Sequence, residues 1–212
     1  MARTKIDYGI DLGTTNSAIA RMENGKSVIK KTDQLKDTMP SCINFNKKQS
    51  ILAGDSALNA LRYDKLRAIK NPSTDFSNTF IEFKRLMGTD KKYHSSFMNK
   101  DFSSEELSSE VLKKLKSFVT DEELKSIVIT VPAKFTINQK DATSRAAKLA
   151  GFEHCELLQE PIAASMAYGL DAGSKDGLWL VFDFGGGTFD AALLKVADGI
   201  MRVIDTEGDN YL

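Results

Sequence analysis

The chain has 212 residues, and 29 Lys and Arg residues balance 29 Asp and Glu residues. Because the net charge is zero, no field draws the whole chain toward nucleic acid or an anionic membrane. No apolar run approaches the roughly 18 residues of a membrane span, and the two cysteines, Cys42 and Cys155, argue against a disulfide framework and for a reducing cytoplasm.

The N-terminal residues 6–32 predict an antiparallel meander around a glycine-rich turn. An apolar strand leads into Asp11, and Gly13 follows within the turn. The next hairpin turns at Asn24 and Gly25, a pair that favours tight two-residue turns. A carboxylate therefore stands at a strand end, beside a turn whose backbone N–H groups can close around an anion.

A strand over residues 42–45 and a first helix are predicted next. Asp55 is predicted to cap this helix, which covers residues 56–69. The inner positions of the helix are expected to be Ala57, Ala60, Leu61 and Leu66.

Residues 78–87 predict a second helix that ends at Gly88, and residues 89–104 predict a polar loop. Ser104 is expected to open a third helix. Helical spacing of apolar residues predicts that one face of it packs, and this face consists of Leu107, Val111, Leu112, Leu115, Phe118 and Val119.

From residue 126 onward, strands alternate with helices, which indicates an α/β layer structure. A buried strand over residues 126–131 stops at Pro132, and a capping box of Thr136 and Gln139 opens the following helix. A second strand covers residues 155–158 and ends near Glu160. The helix predicted over residues 162–170 begins after it.

A second copy of the N-terminal pattern, a strand followed by an aspartate and a glycine-rich turn, begins near residue 178. An uninterrupted apolar run enters Asp183, and a glycine-rich turn of Gly185, Gly186, Gly187 and Thr188 follows. Aligning Asp11 with Asp183 also places Gly13 on Gly185. The matched pair predicts two similar lobes whose turns face each other across a cleft and hold a nucleotide's phosphates.

The C-terminal residues predict a three-stranded meander over 178–183, 189–196 and 200–206, with no helix to cover it. We therefore expect a chain truncated inside its second lobe. Exposed apolar strands tend to pair with other chains, so residues 178–212 are expected to self-associate or to dock in a non-native way. Trp179 is expected in the core.

Five motifs in order resemble one family. They are residues 10–15 (IDLGTT), 83–88 (FKRLMG), 128–133 (VITVPA), 159–170 (QEPIAASMAYGL) and 182–190 (FDFGGGTFD). The chain resembles the N-terminal ATPase domain of the seventy-kilodalton heat-shock chaperones of the DnaK type. Three positions depart from the usual pattern: the family often has an aromatic at Asn16 and Lys134 and a Leu at Phe184.

This resemblance implies an α/β fold of the actin-like ATPase (ribonuclease H-like) kind, with a complete first lobe and a second lobe reduced to its opening β-meander. It divides the chain into a first-lobe core over residues 1–38 and 120–177, an outer subdomain over 39–119, and the start of the second-lobe core over 178–212. The segment between Gly88 and Ser126 is shorter than in typical members.

The resemblance also implies roles for named residues. Lys84 would reach the γ-phosphate and orient the attacking water, and Glu160 would bond metal-bound water and couple the lobes. Asp11 and Asp183 would hold hydrated Mg²⁺ and K⁺ and, with Thr188, complete the catalytic set. ATP or ADP phosphates would be cradled by the two turns, namely Gly13, Thr14, Thr15, Asn16, Gly185, Gly186, Gly187 and Thr188. Pro132 is either a strand terminator or a switch that responds to the nucleotide.

The function expected is therefore ATP hydrolysis coupled, in the intact protein, to binding and release of unfolded polypeptides during stress and protein folding. The partners implied are a J-domain cochaperone and a nucleotide exchange factor, and this chain alone is expected to be weak or inactive. Two alternatives stay open, a small-molecule kinase of the same actin-like fold and a non-enzymatic module that binds nucleotide or a partner.

Overall fold

The computed structural model describes residues 6–71, 78–170, 175–185 and 189–209. The helices within these ranges are α1 (Asp55–Lys70), α2 (Ser104–Lys116), α3 (Ile137–Leu149) and α4 (Glu160–Ala167), with a 3-10 helix at Phe83–Leu86. The strands are β1 (Tyr8–Leu12), β2 (Asn16–Glu23), β3 (Lys26–Ile29), β4 (Met39–Pro40), β5 (Ile43–Phe45), β6 (Ile51–Ala53), β7 (Thr79–Phe80), β8 (Lys92–Ser95), β9 (Lys100–Ser103), β10 (Ser126–Val131), β11 (His154–Gln159), β12 (Gly177–Phe184), β13 (Phe189–Ala197) and β14 (Ile200–Asp209).

A mixed six-stranded sheet forms the centre of the molecule. Its strands run in the order β11, β10, β1, β2 and β3, and β4 pairs with β2. Strands β1, β10 and β11 are parallel, whereas β1, β2 and β3 form the antiparallel meander expected from the sequence. Alternate residues of β1 and β10 are buried, as expected of strands with one face against a core.

Helices α2 and α3 pack on one another and share one hydrophobic core with the sheet. Each of the two helices begins with a capping box, formed by Ser103 with Glu106 and by Thr136 with Gln139. The capping box predicted at Thr136 is confirmed. The packed face predicted for the third helix is also buried at five of its six positions, which are Leu107, Val111, Leu112, Leu115 and Val119.

The carboxyl ends of the three parallel strands meet at one edge of the central sheet. Asp11 lies near the end of β1, Pro132 directly follows β10, and Glu160 directly follows β11. Ligands of open α/β sheets bind outside the carboxyl ends of parallel strands. The topology thus brings three distant motifs to one edge.

Residues 78–104 differ from the sequence prediction. The helix predicted over residues 78–87 is wrong, because residues 79–80 pair with β5 as β7 and Glu82 has a left-handed backbone (φ 56°) that ends any helix there. Only the 3-10 helix Phe83–Leu86 remains. The loop predicted over residues 89–104 is also wrong, because β8 and β9 pair within it.

Helix α1 confirms the first predicted helix with two corrections. Asp55 is its first residue and not its cap, since Gly54 occupies the N-cap position without a side-chain bond. Ala57 and Leu61 are buried as expected, but Leu66 is 60% exposed. The strands between β4 and α2 pack through stacked and edge-on aromatic rings, with Phe45 and Phe102 stacked at 4.3 Å between centroids.

The C-terminal strands form a separate three-stranded antiparallel sheet in the order β12, β13 and β14. This confirms the predicted meander. The sheet packs against α4 through a small cluster built around Leu170, Leu194 and Val196. Its first strand leaves Leu180 and Phe182 about 60% exposed. Trp179 is 44% exposed, so its expected place in the core is wrong. The self-association expected of residues 178–212 stays a prediction.

Within the described ranges, no helix combines the length and the hydropathy needed to span a membrane.

Both cysteine thiols lie where deprotonation is disfavoured, so they are poorly reactive. Burial raises the pKa of Cys42 to about 12, and burial together with Glu156 raises the pKa of Cys155 to about 11.

Candidate functional site

A pocket of about 300 Å³ lies at the edge of the central sheet where the three parallel strands end. Both hairpins that carry an aspartate and a glycine-rich turn contribute to it, as do the 3-10 helix and the loop between β10 and α3. Residues predicted for the site that line it are Asp11, Gly13, Thr14, Thr15, Asn16, Lys84, Glu160, Asp183 and Gly185. The predicted residues Gly186, Gly187 and Thr188 lie outside the described part of the chain.

Asp11 points away from the hydrophobic core. Its strand neighbours Ile10 and Leu12 are 1% and 2% exposed, and alternation along β1 turns the carboxylate to the opposite face. The Thr130 hydroxyl of the neighbouring strand β10 donates to Asp11 Oδ1 at 3.0 Å. The carboxylate is therefore held in the lining of the pocket by one oxygen, with its second oxygen able to accept from a ligand.

The turn after Asp11 is held by two serines that sequence reasoning did not assign to the site. The Gly13 N–H donates to Ser17 Oγ at 3.2 Å, and the Ser41 hydroxyl donates to the Gly13 carbonyl at 2.8 Å. The two hydroxyls are themselves 2.8 Å apart. A Cβ at Gly13 would overlap the carbonyl oxygen of Asn16, so only glycine fits this turn.

Lys84 and Glu160 form an ion pair inside the pocket, with Lys84 Nζ 2.7 Å from Glu160 Oε1. Their side chains are only 8% and 18% exposed. The ammonium also lies 5.7 Å from the centre of the Phe135 ring. Burial raises the pKa of Glu160; Lys84 opposes this shift, while Asp11 and Asp183 add to it. Removing one partner of such a pair would leave the other charge buried without compensation.

Gly88 allows the chain that follows Lys84 to approach α3 closely. The chain turns there with φ +73°, and a Cβ would come within 2.9 Å of the Asn138 carbonyl oxygen at the start of α3. The turn that follows the 3-10 helix therefore packs directly onto the first turn of α3. Periodicity alone would have treated Lys84 as a solvated helix residue, and only the motif around it singled it out.

Asp183 lies opposite Asp190 in the β12–β13 pair, and both line the pocket. Like charges at directly opposed positions repel. Burial raises the pKa of Asp190, Asp183 adds to that shift, and Lys134 and Lys84 oppose it. Asp190 was missed by sequence reasoning. Pairing the strands outward from the glycine turn would have placed it opposite Asp183.

Lys134 is a further pocket residue, and sequence reasoning assigned it no role in the site. It lies in the loop between β10 and α3, and its Nζ is 2.8 Å from Glu207 Oε2 on β14. Arg85, next to Lys84, also lines the pocket and bridges to Glu82 at 3.2 Å. Pro132, for which two roles were left open, lines the same pocket.

The donor set suits a hydrated Mg²⁺ bound together with phosphate. In the described ranges, no cluster of three or more His, Cys, Asp or Glu side chains is arranged to hold a metal. Mg²⁺ in phosphate sites is usually held by one or two carboxylates, with the substrate phosphates and water completing its shell. Asp11 and Asp183 are two carboxylates in this pocket, and the Lys84 side chain lines it with them.

Comparison with known proteins gives one consistent family. The family described as Hsp70 protein matches residues 7–212. The chain is 41% identical over 211 residues to the chaperone protein DnaK of Ureaplasma parvum serovar 3, covering 98% of this chain and 32% of that protein. It is 42% identical over 211 residues to the chaperone protein DnaK of Mycoplasmopsis agalactiae, covering 98% and 33%.

A third relative gives a similar match. The chaperone protein dnaK of Phaeodactylum tricornutum is 41% identical over 230 residues, covering 96% of this chain and 35% of that protein. The chain thus spans about a third of the length of the curated relatives it matches.

Proposed function

The chain belongs to the Hsp70 family, and from that premise we propose that its pocket binds Mg-ATP and supports in-line attack of water on the γ-phosphate. The observation that carries the proposal is the meeting of Asp11 and Asp183, from two equivalent hairpins, in one pocket with Lys84. Neither hairpin alone would be specific, because single glycine-rich turns are common.

Each residue has a role that follows from its chemistry. Lys84 neutralises charge on the terminal phosphate and orients the attacking water, and Glu160 keeps its ammonium in place. Phosphoryl transfer depends mainly on positioning and charge neutralisation, so one fixed ammonium beside the phosphate is an effective catalytic group. The backbone N–H groups and hydroxyls of Gly13, Thr14 and Thr15 bind phosphate oxygens.

Asp11 and Asp183 would hold hydrated Mg²⁺, and K⁺ is proposed beside it. Bound there, the metal would neutralise phosphate charge that the pocket's own cations leave uncompensated. Asn16 and Gly185 line the same pocket. Gly186, Gly187 and Thr188 are proposed to complete the second phosphate turn, and Thr188 to act in catalysis.

For the whole fold we propose the actin-like ATPase architecture that the family implies, with the central sheet in the first lobe and the β12–β14 sheet opening the second. The proposed division is a first-lobe core of residues 1–38 and 120–177, an outer subdomain of residues 39–119, and a second-lobe start at residues 178–212.

In the intact protein we propose that hydrolysis is coupled to binding and release of unfolded polypeptides, with a J-domain cochaperone and a nucleotide exchange factor as partners. The relatives named above are chaperone proteins by description, which supports this coupling. Weak or absent hydrolysis by the 212-residue chain alone, and a cytoplasmic location, stay predictions.

Isothermal titration with Mg-ATP and with Mg-tripolyphosphate tests the proposal. The chain should bind both, and Lys84→Ala should weaken binding and lower any phosphate release by about a hundredfold. Lys113→Ala is the control, because Lys113 pairs with Glu110 on the outer face of α2. Absence of binding to either polyphosphate would overturn the proposal, and turnover that requires glycerol or a sugar would favour the kinase alternative.

A further inference from the structure

Lys134 connects the loop after β10 with the separate C-terminal sheet. Its side chain lines the pocket, yet its ammonium is bonded outward to Glu207 on β14 at 2.8 Å. Glu207 does not line the pocket and its side chain is 88% exposed. One cation is thus shared between the pocket and a solvent-facing carboxylate.

The pocket's other cations are held differently. Lys84 is bonded to Glu160 and both side chains are largely buried, so releasing that ammonium would strand a buried carboxylate. Arg85 is 13% exposed and is bridged to Glu82 next to its own 3-10 helix. Exposed ion pairs such as Lys134–Glu207 stabilise little and exchange partners easily. Of the three, Lys134 is the one that a ligand can most readily recruit.

The balance of charges in the pocket explains why a bound polyphosphate would attract the Lys134 ammonium. Among the described lining residues, four carboxylates (Asp11, Glu160, Asp183 and Asp190) face the three cations Lys84, Arg85 and Lys134. A polyphosphate adds further negative charge. Lys134 already lines the pocket together with Asp183 and Asp190. Lysine has a long flexible stem with three donors, so it can turn inward without backbone motion.

We propose that Lys134 exchanges Glu207 for bound polyphosphate, so that Lys134 is a ligand-binding residue and Glu207 competes with the ligand for its ammonium. This inference rests on the proposed phosphate site. It assigns a function to two residues outside the motifs that identify the family. It also means that ligand binding releases the Lys134–Glu207 contact between the loop after β10 and β14.

The two partners should respond to substitution in opposite directions. At low ionic strength, Lys134→Gln should weaken binding of Mg-tripolyphosphate about tenfold, because a charged hydrogen bond to phosphate is lost. Glu207→Gln should tighten binding by about threefold, because the exposed pair it breaks had restrained the ammonium. The double variant should match Lys134→Gln. Titration calorimetry with Mg-tripolyphosphate, repeated with Mg-ATP, measures all three.

Lys125 and Glu153 provide a matched control pair. They are also 2.8 Å apart and exposed, but they precede β10 and β11 and so lie at the opposite end of the sheet from the pocket. Lys125→Gln and Glu153→Gln should leave polyphosphate binding unchanged. Circular dichroism melts of every variant establish that each is folded as the parent chain is.

The outcomes separate this inference from the proposed function. If the parent chain binds and both Lys134→Gln and Glu207→Gln weaken binding alike, the pair is a structural bridge and the exchange is wrong. Binding unchanged in both variants overturns the exchange alone and leaves the phosphate site standing. Failure of the parent chain to bind either polyphosphate overturns the phosphate site, and the exchange with it.

Discussion

The two hairpins that flank the pocket share one sequence pattern, a strand followed by an aspartate and a glycine-rich turn, but they lie in different surroundings. The residue before Asp11, Ile10, is 1% exposed, whereas the residue before Asp183, Phe182, is 60% exposed. The first hairpin belongs to a six-stranded sheet that shares the main core with α2 and α3. The second belongs to a three-stranded sheet that rests on one small cluster and α4.

This difference shows that sheet context, and not the repeated motif alone, sets how firmly each aspartate-bearing strand is held. The free energy needed to open a region locally depends on how much apolar surface it buries. We therefore expect the Asp11 side of the pocket to be rigid and the Asp183 side to open more easily. Ligand binding would then order mainly the second hairpin.

Matched substitutions before the two aspartates test this comparison most strongly. Ile10→Ala removes a fully buried side chain and should lower the free energy of unfolding by about 2–5 kcal/mol. Phe182→Ala should cost less than about 1 kcal/mol, since most of that ring is in solvent. Urea unfolding followed by circular dichroism measures both. Equal costs would show that the second hairpin is as well supported as the first.

Leu194→Ala sharpens the comparison within the second region. Leu194 is 0% exposed at the centre of the small cluster, so its truncation should cost about 2 kcal/mol. The loss should be local: amide exchange of β12 to β14 should accelerate while β1 and β10 keep their protection. Hydrogen-exchange mass spectrometry distinguishes this from a uniform acceleration, which would mean that the two sheets open as one unit.

Among these predictions, substitution of Glu106, which lies in the first region, should have the smallest effect on the free energy of unfolding. Burial alone would raise the pKa of Glu106, but bonds from Lys100 and from the Ser103 backbone outweigh it and hold the pKa below the ordinary glutamate value. A carboxyl with a lowered folded-state pKa stabilises the fold above its unfolded value and loses that contribution as pH falls through the folded value.

Glu106→Gln keeps a capping side chain without the titration. At pH 7 it should cost less than about 1 kcal/mol, because the Lys100 pair is partly exposed. The difference between parent and variant should shrink between pH 7 and about pH 3, because falling pH protonates the carboxylate. Urea unfolding at both pH values checks this, and a difference that persists in acid would rule out the carboxylate as its source.

Sequence reasoning worked where one local signal decided the structure. The strand at residues 126–131 and the helix opened by Thr136 follow from an apolar run ended by Pro132 and from a capping box. It failed over residues 78–104, because pairing of β7 with β5 and the backbone of Glu82 decide that segment. The strand or helix propensity of one stretch of sequence carries no information about which distant strand will pair with it.

The residues of the candidate site likewise divide into those that the sequence could identify and those that it could not. Asp11, Gly13, Asp183 and Gly185 could be chosen because a repeated motif marks them. Ser17 and Ser41 could not, since their importance comes from contacts across the fold. Asp190 required the strand register in addition to the motif. Lys134 carried no role in the sequence because its partner, Glu207, is distant along the chain.

The most direct test of the account is whether both aspartates contribute to one metal–polyphosphate site. Mn²⁺ can replace Mg²⁺ as a probe, and electron paramagnetic resonance with tripolyphosphate measures its binding. Asp11→Asn and Asp183→Asn should each weaken Mn²⁺ binding about tenfold or more, and Asp205→Asn, on the exposed part of β14, should not. Unchanged binding in either of the first two variants would contradict a shared site between the two hairpins.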